Sequence, residues 1–508
     1  MLAKVISGAT LGLESVPVTV EVDISTHSLP SFTIVGLPSK SVEESKERVR
    51  AAIKNSGAEF PAHRITINLA PADLPKEGPA YDLPMALGIL IASGQINTDL
   101  SKSIVFGELS LDGSLRHTKG ILPVSLMAKE KGQHSLFLPE TNAKEAAVVD
   151  KIDIYPVKNL IALFHHLAGT VKIEPYKHTP FSNMQRERLA EFDLSDIRGQ
   201  EQGKRALEIS AAGGHNLLLR GVPGAGKTML ARALPGILPD LVESEALEVT
   251  KIYSVTGNIP EGDSVIKVRP FRCPHHTTSQ IGLIGGGAHP MPGEISLAHR
   301  GVLFLDEFPE FSRHVLEALR QPIEDGIVTI SRAAGTVSYP AKFVLIAASN
   351  PCPCGFWGDP VHNCKCLPGQ ISLYQKRISG PIVDRIDLHV ELPPVRVEKL
   401  TNDEIEGELS EKVKKRVQAA RNMQTKRYKK TSMVCNSDLS TKAIREMIVL
   451  DKDCINILRQ AVSSMHFSAR TYYRTIKVAR TIADLEGEKE IAVSHITEAL
   501  QFRPKENI

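Results

Sequence analysis

No run in these 508 residues reaches the roughly 18 apolar residues that a membrane span needs. Met1 to Ser25 mixes charge into its apolar stretches, so no export signal is expected there. A soluble, cytoplasmic protein with no membrane partner is expected. Excess charge is missing too. The 61 Lys and Arg against 58 Asp and Glu leave a formal +3, which excludes binding of nucleic acid by bulk charge and confines any such surface to a local patch. Cysteine is scarce and odd in number, seven in all, which argues against a disulfide framework and for thiols or metal ligands. What remains is globular composition, enough for about three domains of ~150 residues.

The chemistry is concentrated in two stretches. His215 to Thr228, HNLLLRGVPGAGKT, reads as a short buried strand, a glycine-rich turn and the start of a helix. Gly221, Val222, Pro223, Gly224, Ala225, Gly226, Lys227 and Thr228 satisfy G-x-x-x-x-G-K-[ST]. The glycines let backbone N–H groups wrap phosphate oxygens, the lysine neutralises β/γ charge, and the threonine hydroxyl holds Mg²⁺. Gly301 to Phe308, GVLFLDEF, supplies a second apolar strand ending in two carboxylates. Asp306 would hold hydrated Mg²⁺ and Glu307 would orient and deprotonate the attacking water, so ATP hydrolysis is expected rather than binding alone.

Residues 1–170 alternate strand-like and helix-like pieces, VPVTVEVDIS, SVEESKERVRAAIKNSG and HRITINLA among them, and predict an α+β domain. The order of the later pieces, through PKEGPAYDLPMALGILIASG and GELSLDGSLRHTKGILP, resembles the proteolytic domain of Lon, a ribosomal S5 domain 2-like fold. On that alignment Ala80 stands where the serine nucleophile would be and Leu122 where its lysine partner would be, so no peptidase activity is expected. Ser110 and Lys119 lack the paired group that covalent chemistry needs. A polar, Pro-containing linker is expected over 171–193.

Between the two ATP motifs, RPFRCPHHTTSQIGLIGGGAHPMPGEISLAHR is too rich in Gly, Pro and His for a plain helix and predicts an inserted loop or hairpin. Within it Cys273, His275 and His276 are either metal ligands or a polar surface that contacts substrate. IVTISRAAGTVSYP predicts a hairpin flanked by Arg332 and Lys342, and KFVLIAASN a buried strand ending at Asn350. Cys352-x-Cys354 and Cys364-x-Cys366, with His362 close by, place four thiols within fifteen residues. They are either a structural Zn²⁺ site, with C-x-C tighter than the usual spacing, or free thiols in a braced loop. Lys412 to Lys430 holds nine basic residues and no acidic ones, with Val413, Val417 and Ala420 at helical spacing. One face would pack, and the other would meet solvent or a phosphate backbone.

The string GGGAHPMPGEISLAHRGVLFLDE, residues 285–307, is similar to magnesium-chelatase-like AAA+ ATPases of the ComM/YifB family, and the likeness spans most of the chain. It implies an α/β fold, a P-loop parallel sheet over 194–395 with a helical lid over 396–508. It also implies a homo-oligomeric ring, a hexamer, whose insert and hairpin face a central pore. The resemblance gives Asn350 a place at the attacking water or γ-phosphate. Arg385, in ISGPIVDRIDLHVEL, becomes an arginine finger for a neighbouring subunit, and Arg470, in SARTYYRTIKVARTIADLEG, a γ-phosphate contact with Arg474 as its substitute. An intrachain pair of Arg385 with Asp387 is the competing reading. The implied partner is single-stranded or branched DNA, in helicase or branch-migration steps of homologous recombination and natural transformation. A magnesium-chelatase motor subunit and a peptide-remodelling ATPase are the alternatives.

Overall fold

The computed structural model describes residues 2–26, 28–181, 191–260, 263–287, 290–332, 335–378, 380–394, 407–431, 433–465 and 467–504. Its contacts form two compact units, Met1–Gln185 with Glu243–Ile266, and Arg186–Val242 with Lys267–Ile508.

In the first unit, strands β1 (Leu2–Leu11), β2 (Glu14–Ser25), β3 (Ser31–Val35), β4 (Arg64–Ala70), β5 (Ser103–Val105), β6 (Ser135–Pro139) and β7 (Asp153–Val157) make one sheet. The strand order is β3-β4-β2-β1-β5-β6-β7. β1 and β2 pair antiparallel, whereas β5, β6 and β7 run parallel. Val18, Val20, Val22 and Ile24 are buried, and this period of two fixes the register of β2, because a one-residue slip would turn them all to the opposite face. The apolar helix Asp82–Ala92 lies on β1 and β2. It comes close because Gly88 has no side chain: a Cβ there would sit 2.5 Å from Val22 Cγ2. Asp82, at the start of this helix, is buried and accepts from Arg48 Nε at 2.7 Å. Ala80 and Leu122 are both buried.

One helix of this unit comes from an unexpected part of the chain. Glu243–Thr256 lies in sequence between the phosphate loop and Asp306, inside the stretch expected to be ATPase core, yet it packs on the helix Ile121–Glu130 of the first unit. Ser254 Oγ donates to Glu145 Oε1 at 2.5 Å, the Leu122 N–H donates to the same oxygen at 3.0 Å, and the Gly120 N–H donates to the Ser254 carbonyl at 3.0 Å. Burial raises the Glu145 carboxyl while these donors oppose the rise.

The second unit is built on a parallel sheet of β8 (Leu217–Gly221), β9 (Phe271–Arg272), β10 (Val302–Leu305), β11 (Val344–Ser349) and β12 (Leu388–Leu392), in the order β9-β10-β11-β8-β12. Every pairing is parallel. Such strands are covered on both faces, which is why Val302 to Leu305 are all apolar and all buried. The helices Ser410–Tyr428, Lys452–Ser464, Ala469–Glu486 and Val493–Gln501 share the core of this sheet. In the first of them Val413, Val417 and Ala420 face inward, as the spacing predicts, and Tyr428 joins them. Its basic side is largely paired within the fold. Five of the nine cations have partners: Lys414 with Asp240, Lys415 with Glu411, Arg416 with Glu208 and Glu408, Arg421 with the Ala211 carbonyl, and Arg427 with Asp484. Among the described residues no helix is long and apolar enough to cross a membrane.

The bonds to Glu145 generate a prediction. Glu145→Ala leaves Ser254 Oγ without its acceptor and the Leu122 N–H with only its longer contact to Ser254 Oγ at 3.4 Å, at a cost of about 1–3 kcal/mol for a buried donor left unpaired. Denaturant unfolding should show that loss. Hydrogen exchange should report lowered protection across 243–256, while amides of β8, β10 and β11 keep theirs.

Candidate active site

Because β10, β11 and β8 are consecutive and parallel, their C-terminal ends deliver Asp306, Asn350 and the phosphate loop to one edge of the sheet. That edge is where open parallel sheets take ligands. The loop turns sharply through Gly224 and Gly226, with φ of +79° and +87°, which side-chain-bearing residues rarely adopt. Lys227 opens the helix Lys227–Ala233 and folds back into the loop. Its Nζ donates to the Gly221 carbonyl at 2.6 Å, the Val222 carbonyl at 2.9 Å and Asn350 Oδ1 at 3.0 Å. Burial pulls this ammonium down to about 8, and Asp306 only partly opposes the fall. The Thr228 hydroxyl donates to Asp306 Oδ2 at 2.8 Å, so the two oxygens that suit Mg²⁺ lie side by side.

Beside the loop is a cavity of about 400 Å³, lined by Val222 to Gly226, Met229, Asp196 to Arg198, Gln200 and Pro394 together with part of the 350s loop. Gln200 has left-handed backbone, and its Nε2 donates to the Ala225 and Pro393 carbonyls at 3.0 and 2.7 Å. Its buried Oε1 has no partner among the described residues. The size, the glycine cradle and an orphaned acceptor fit a nucleoside triphosphate.

Glu307 stands next to Asp306 with φ of 49°, a left-handed conformation that costs a non-glycine residue about 1–2 kcal/mol. Its carboxylate is paired with His276, Nδ1 to Oε2 3.0 Å. His276 therefore does not lie free: it pairs with the expected base. His275 stacks on it with ring centroids 4.2 Å apart. Cys273, His275 and His276 do not gather as a ligand set. Among the described residues only the four later thiols form a group able to hold a metal.

The arginines converge elsewhere. Arg385 Nη2 and Arg470 Nη2 both donate to Glu324, the second at 2.9 Å, and Arg385 Nη1 donates to the Pro381 carbonyl at 2.6 Å. Asp387 pairs instead with Arg474, Oδ1 to Nη1 2.6 Å, and lies 3.3 Å from His215 Nδ1. Burial alone would raise Asp387, but Arg474 and His215 outweigh it and hold the carboxyl far below the usual range. The pairing of Arg385 with Asp387 weighed from sequence is thus replaced by Arg385 with Glu324 and Arg474 with Asp387.

After Asn350 the chain enters the cysteine loop. Cys352 Sγ lies 3.4 Å from Cys354 Sγ and 3.7 Å from Cys364 Sγ, Cys354 and Cys364 are 3.6 Å apart, and with Cys366 all four sulfurs fall within 4.8 Å of one another. Tetrahedral Zn–S bonds of about 2.3 Å place sulfurs roughly 3.8 Å apart, so the tight C-x-C spacing is no obstacle. Backbone N–H groups of Phe356 and Lys365 point at Cys354 and hold its thiol down, at about 6, in the form a metal would bind.

The insert carries the short helix Gln280–Ile284 and a two-stranded pairing of Gly285–Gly286 with Met291–Pro292. The expected hairpin pairs Ile327–Arg332 with Gly335–Pro340. The two meet: Tyr339 Oη donates to the Pro290 carbonyl at 2.7 Å, and Gly285 abuts Ile330. The hairpin turn at Ala333 and Ala334 and the side chain of Arg332 lie outside the described residues, while Lys342 donates its N–H to His299 Nδ1 at 3.1 Å. Spacing in the sequence signals neither the His276–Glu307 pair nor Glu324 as the meeting point of two arginines. Both depend on which loops the sheet brings together.

Comparison with known proteins covers 99% of the chain. Residues 193–400 match the family model "Magnesium chelatase, subunit ChlI", residues 20–142 match "Subunit ChlI of Mg-chelatase", and residues 407–503 match "Magnesium chelatase, subunit ChlI C-terminal". The chain is 44% identical over 508 residues to the "Competence protein ComM" of Haemophilus influenzae, covering 99% of this chain and 97% of that one. It is 45% identical over 503 residues to the "Uncharacterized protein YifB" of Escherichia coli, with the same coverage. The "Magnesium-chelatase 38 kDa subunit" of Rhodobacter capsulatus is 29% identical over 179 residues, 32% of this chain and 50% of that one. With the phosphate loop, the acidic strand end and full-length relatives in agreement, the chain belongs to the ComM/YifB family of magnesium-chelatase-like AAA+ ATPases.

Proposed function

We propose that this protein is an ATP-hydrolysing ring motor, a hexamer, that moves single-stranded or branched DNA in helicase or branch-migration steps of recombination and in the uptake of foreign DNA. The observation that carries the reading is the meeting of Lys227, Thr228, Asp306, Glu307 and Asn350 at one sheet edge. Thr228 and Asp306 would hold Mg²⁺, which when bound neutralises β/γ phosphate charge. Lys227 leaves the loop carbonyls for those phosphates, Asn350 orients the attacking water, and Glu307 accepts its proton once His276 lets go. Arg385 and Arg470 share Glu324, so a phosphate presented there meets two guanidinium groups at once. This arrangement suits a triphosphate held by a neighbouring subunit. DNA as the polymer is supported by the relative named for competence and by the adjacency of the insert and the hairpin. The first unit is read as a Lon-like fold without peptidase chemistry, its Ala80 and Leu122 buried and apolar. The relative named as a chelatase subunit aligns with only 32% of this chain, whereas the relative named for competence aligns with 99%, which favours DNA over metal insertion into a porphyrin.

Three outcomes are expected. ATP turnover should rise several-fold with single-stranded or branched DNA and should vanish in Lys227→Ala and Glu307→Gln; equal rates with and without DNA would point to another polymer. Arg385→Ala should bind ATP with unchanged affinity yet lose at least 10-fold in turnover, and adding it to wild-type protein should poison mixed rings. ATP affinity should also depend on pH through Lys227, whose pKa is about 8 without nucleotide and rises beside phosphate. The contribution is therefore full below pH 8 and weakens above it, by up to about tenfold per unit. Calorimetry in buffers of different ionisation enthalpy should register proton uptake near pH 8, absent in Lys227→Ala.

A further inference from the structure

The cavity beside the phosphate loop has a wall that the phosphate chemistry does not explain. Phe356, Asp359, Val361 and His362 line it, and all four lie between Cys354 and Cys364. We propose that this thiol-closed loop is the part of the nucleotide site that receives the base, with the Phe356–His362 ring pair as its contact surface and a Zn²⁺ on the four cysteines holding it in place. The inference rests on the reading of Gly221–Thr228 as a triphosphate site and adds to it the half of the pocket that meets the nucleoside.

The loop is set against the phosphate loop directly. Gly355 has φ of +86°, and a Cβ there would lie 2.7 Å from Pro223 Cγ, so only a glycine lets the two segments touch. The rings of Phe356 and His362 are 4.9 Å apart and inclined by 36°, which presents a joined aromatic surface. Asp359 fixes the second ring. Its Oδ1 accepts from the Val361 and His362 N–H groups at 2.7 and 3.1 Å, and its Oδ2 lies 3.4 Å from His362 Nδ1. A second anchor is Trp357, whose N–H donates to Cys352 Sγ at 3.3 Å and whose ring takes the Arg220 guanidinium at 5.8 Å. Nothing else of regular structure lies between Pro351 and Leu367, so the sulfurs close the loop where a hydrophobic core is lacking. A four-thiolate site of this kind supplies folding energy locally. Bases have π-faces and stack on aromatic rings regardless of identity. The surface therefore favours a nucleotide over bare polyphosphate and discriminates weakly among bases.

The full-length protein tests this through metal content and equilibrium binding rather than turnover. Phe356→Ala, purified with its zinc and with unchanged circular dichroism, should bind ATP roughly tenfold more weakly while binding inorganic tripolyphosphate as the wild type does, and Phe356→Trp should restore ATP binding. Zinc measured by elemental analysis should stand near one per chain. Its removal with a chelator, or Cys364→Ser with Cys366→Ser, should weaken ATP but not tripolyphosphate, and readded zinc should restore the chelated protein. Phe356→Ala binding ATP at wild-type strength overturns the base contact, and a metal-free protein with full ATP affinity overturns the role of zinc. Loss of both ATP and tripolyphosphate binding is expected only of Lys227→Ala; tripolyphosphate binding that ignores Lys227→Ala would instead remove the triphosphate reading beneath the proposal.

Discussion

A backbone ladder sets the chemistry of this chain. Leu219 pairs with Ala348, and Leu305 pairs with Ala347, so three parallel strands end at nearly the same level. Hydrogen bonds between main-chain groups, indifferent to side-chain identity, thereby place a lysine, a threonine, two acids and an amide within reach of one another. The side chains then interlock: Asn350 accepts from Lys227, and Asp306 accepts from Thr228. Each of these contacts uses a group that a nucleotide or its metal would claim, so the resting site is satisfied by its own members. Binding exchanges partners rather than filling a void of unpaired charge, which keeps the buried lysine affordable in the absence of ligand.

The same economy governs the arginines. Asp387 is fully committed to Arg474 and His215 in the interior, and that pair braces the start of β12 against the helix Ala469–Glu486. Glu324, by contrast, is half exposed and serves Arg385 and Arg470 together. Exposed ion pairs contribute little and exchange readily, whereas buried ones are held by the cost of breaking them. The contrast lies in the carboxylates: Arg474 is tied to a buried one, Asp387 at 7% exposed, and Arg385 and Arg470 to one that solvent reaches, Glu324 at 48%. The motif likeness, which places Arg470 on the γ-phosphate with Arg474 as its substitute, does not make that distinction.

The phosphate loop and the acidic strand were legible because their chemistry is local: the glycines, the lysine and the flanking apolar strand follow one another in sequence. The parallel sheet was legible for a related reason, since strands covered on both faces leave unbroken apolar runs such as Val302–Leu305. The inward face of Ser410–Tyr428 could be read from its period, but the fate of its cations could not. Their partners Asp240, Glu208 and Asp484 lie far away in the chain. The pairing of His276 with Glu307, and the wall that Phe356 and His362 build against Pro223, are equally non-local. Cysteine spacing suggested a metal while raising a doubt about strain, and only the folded loop, with sulfurs 3.4, 3.6 and 3.7 Å apart, removes it.

The helix Glu243–Thr256 bears on the order in which the protein is made. The last strand of the first unit ends at Val157, but the helix that covers Ile121–Glu130 and supplies Ser254 to Glu145 emerges from the ribosome roughly 90 residues later. At about 5–20 residues per second, that is a delay of several seconds. During that interval the nascent domain exposes an apolar helix face and a carboxylate lacking one of its donors, while the phosphate loop is already being synthesised. The first unit is therefore completed only when translation has passed well into the second, whose sequence brackets the helix that the first still lacks.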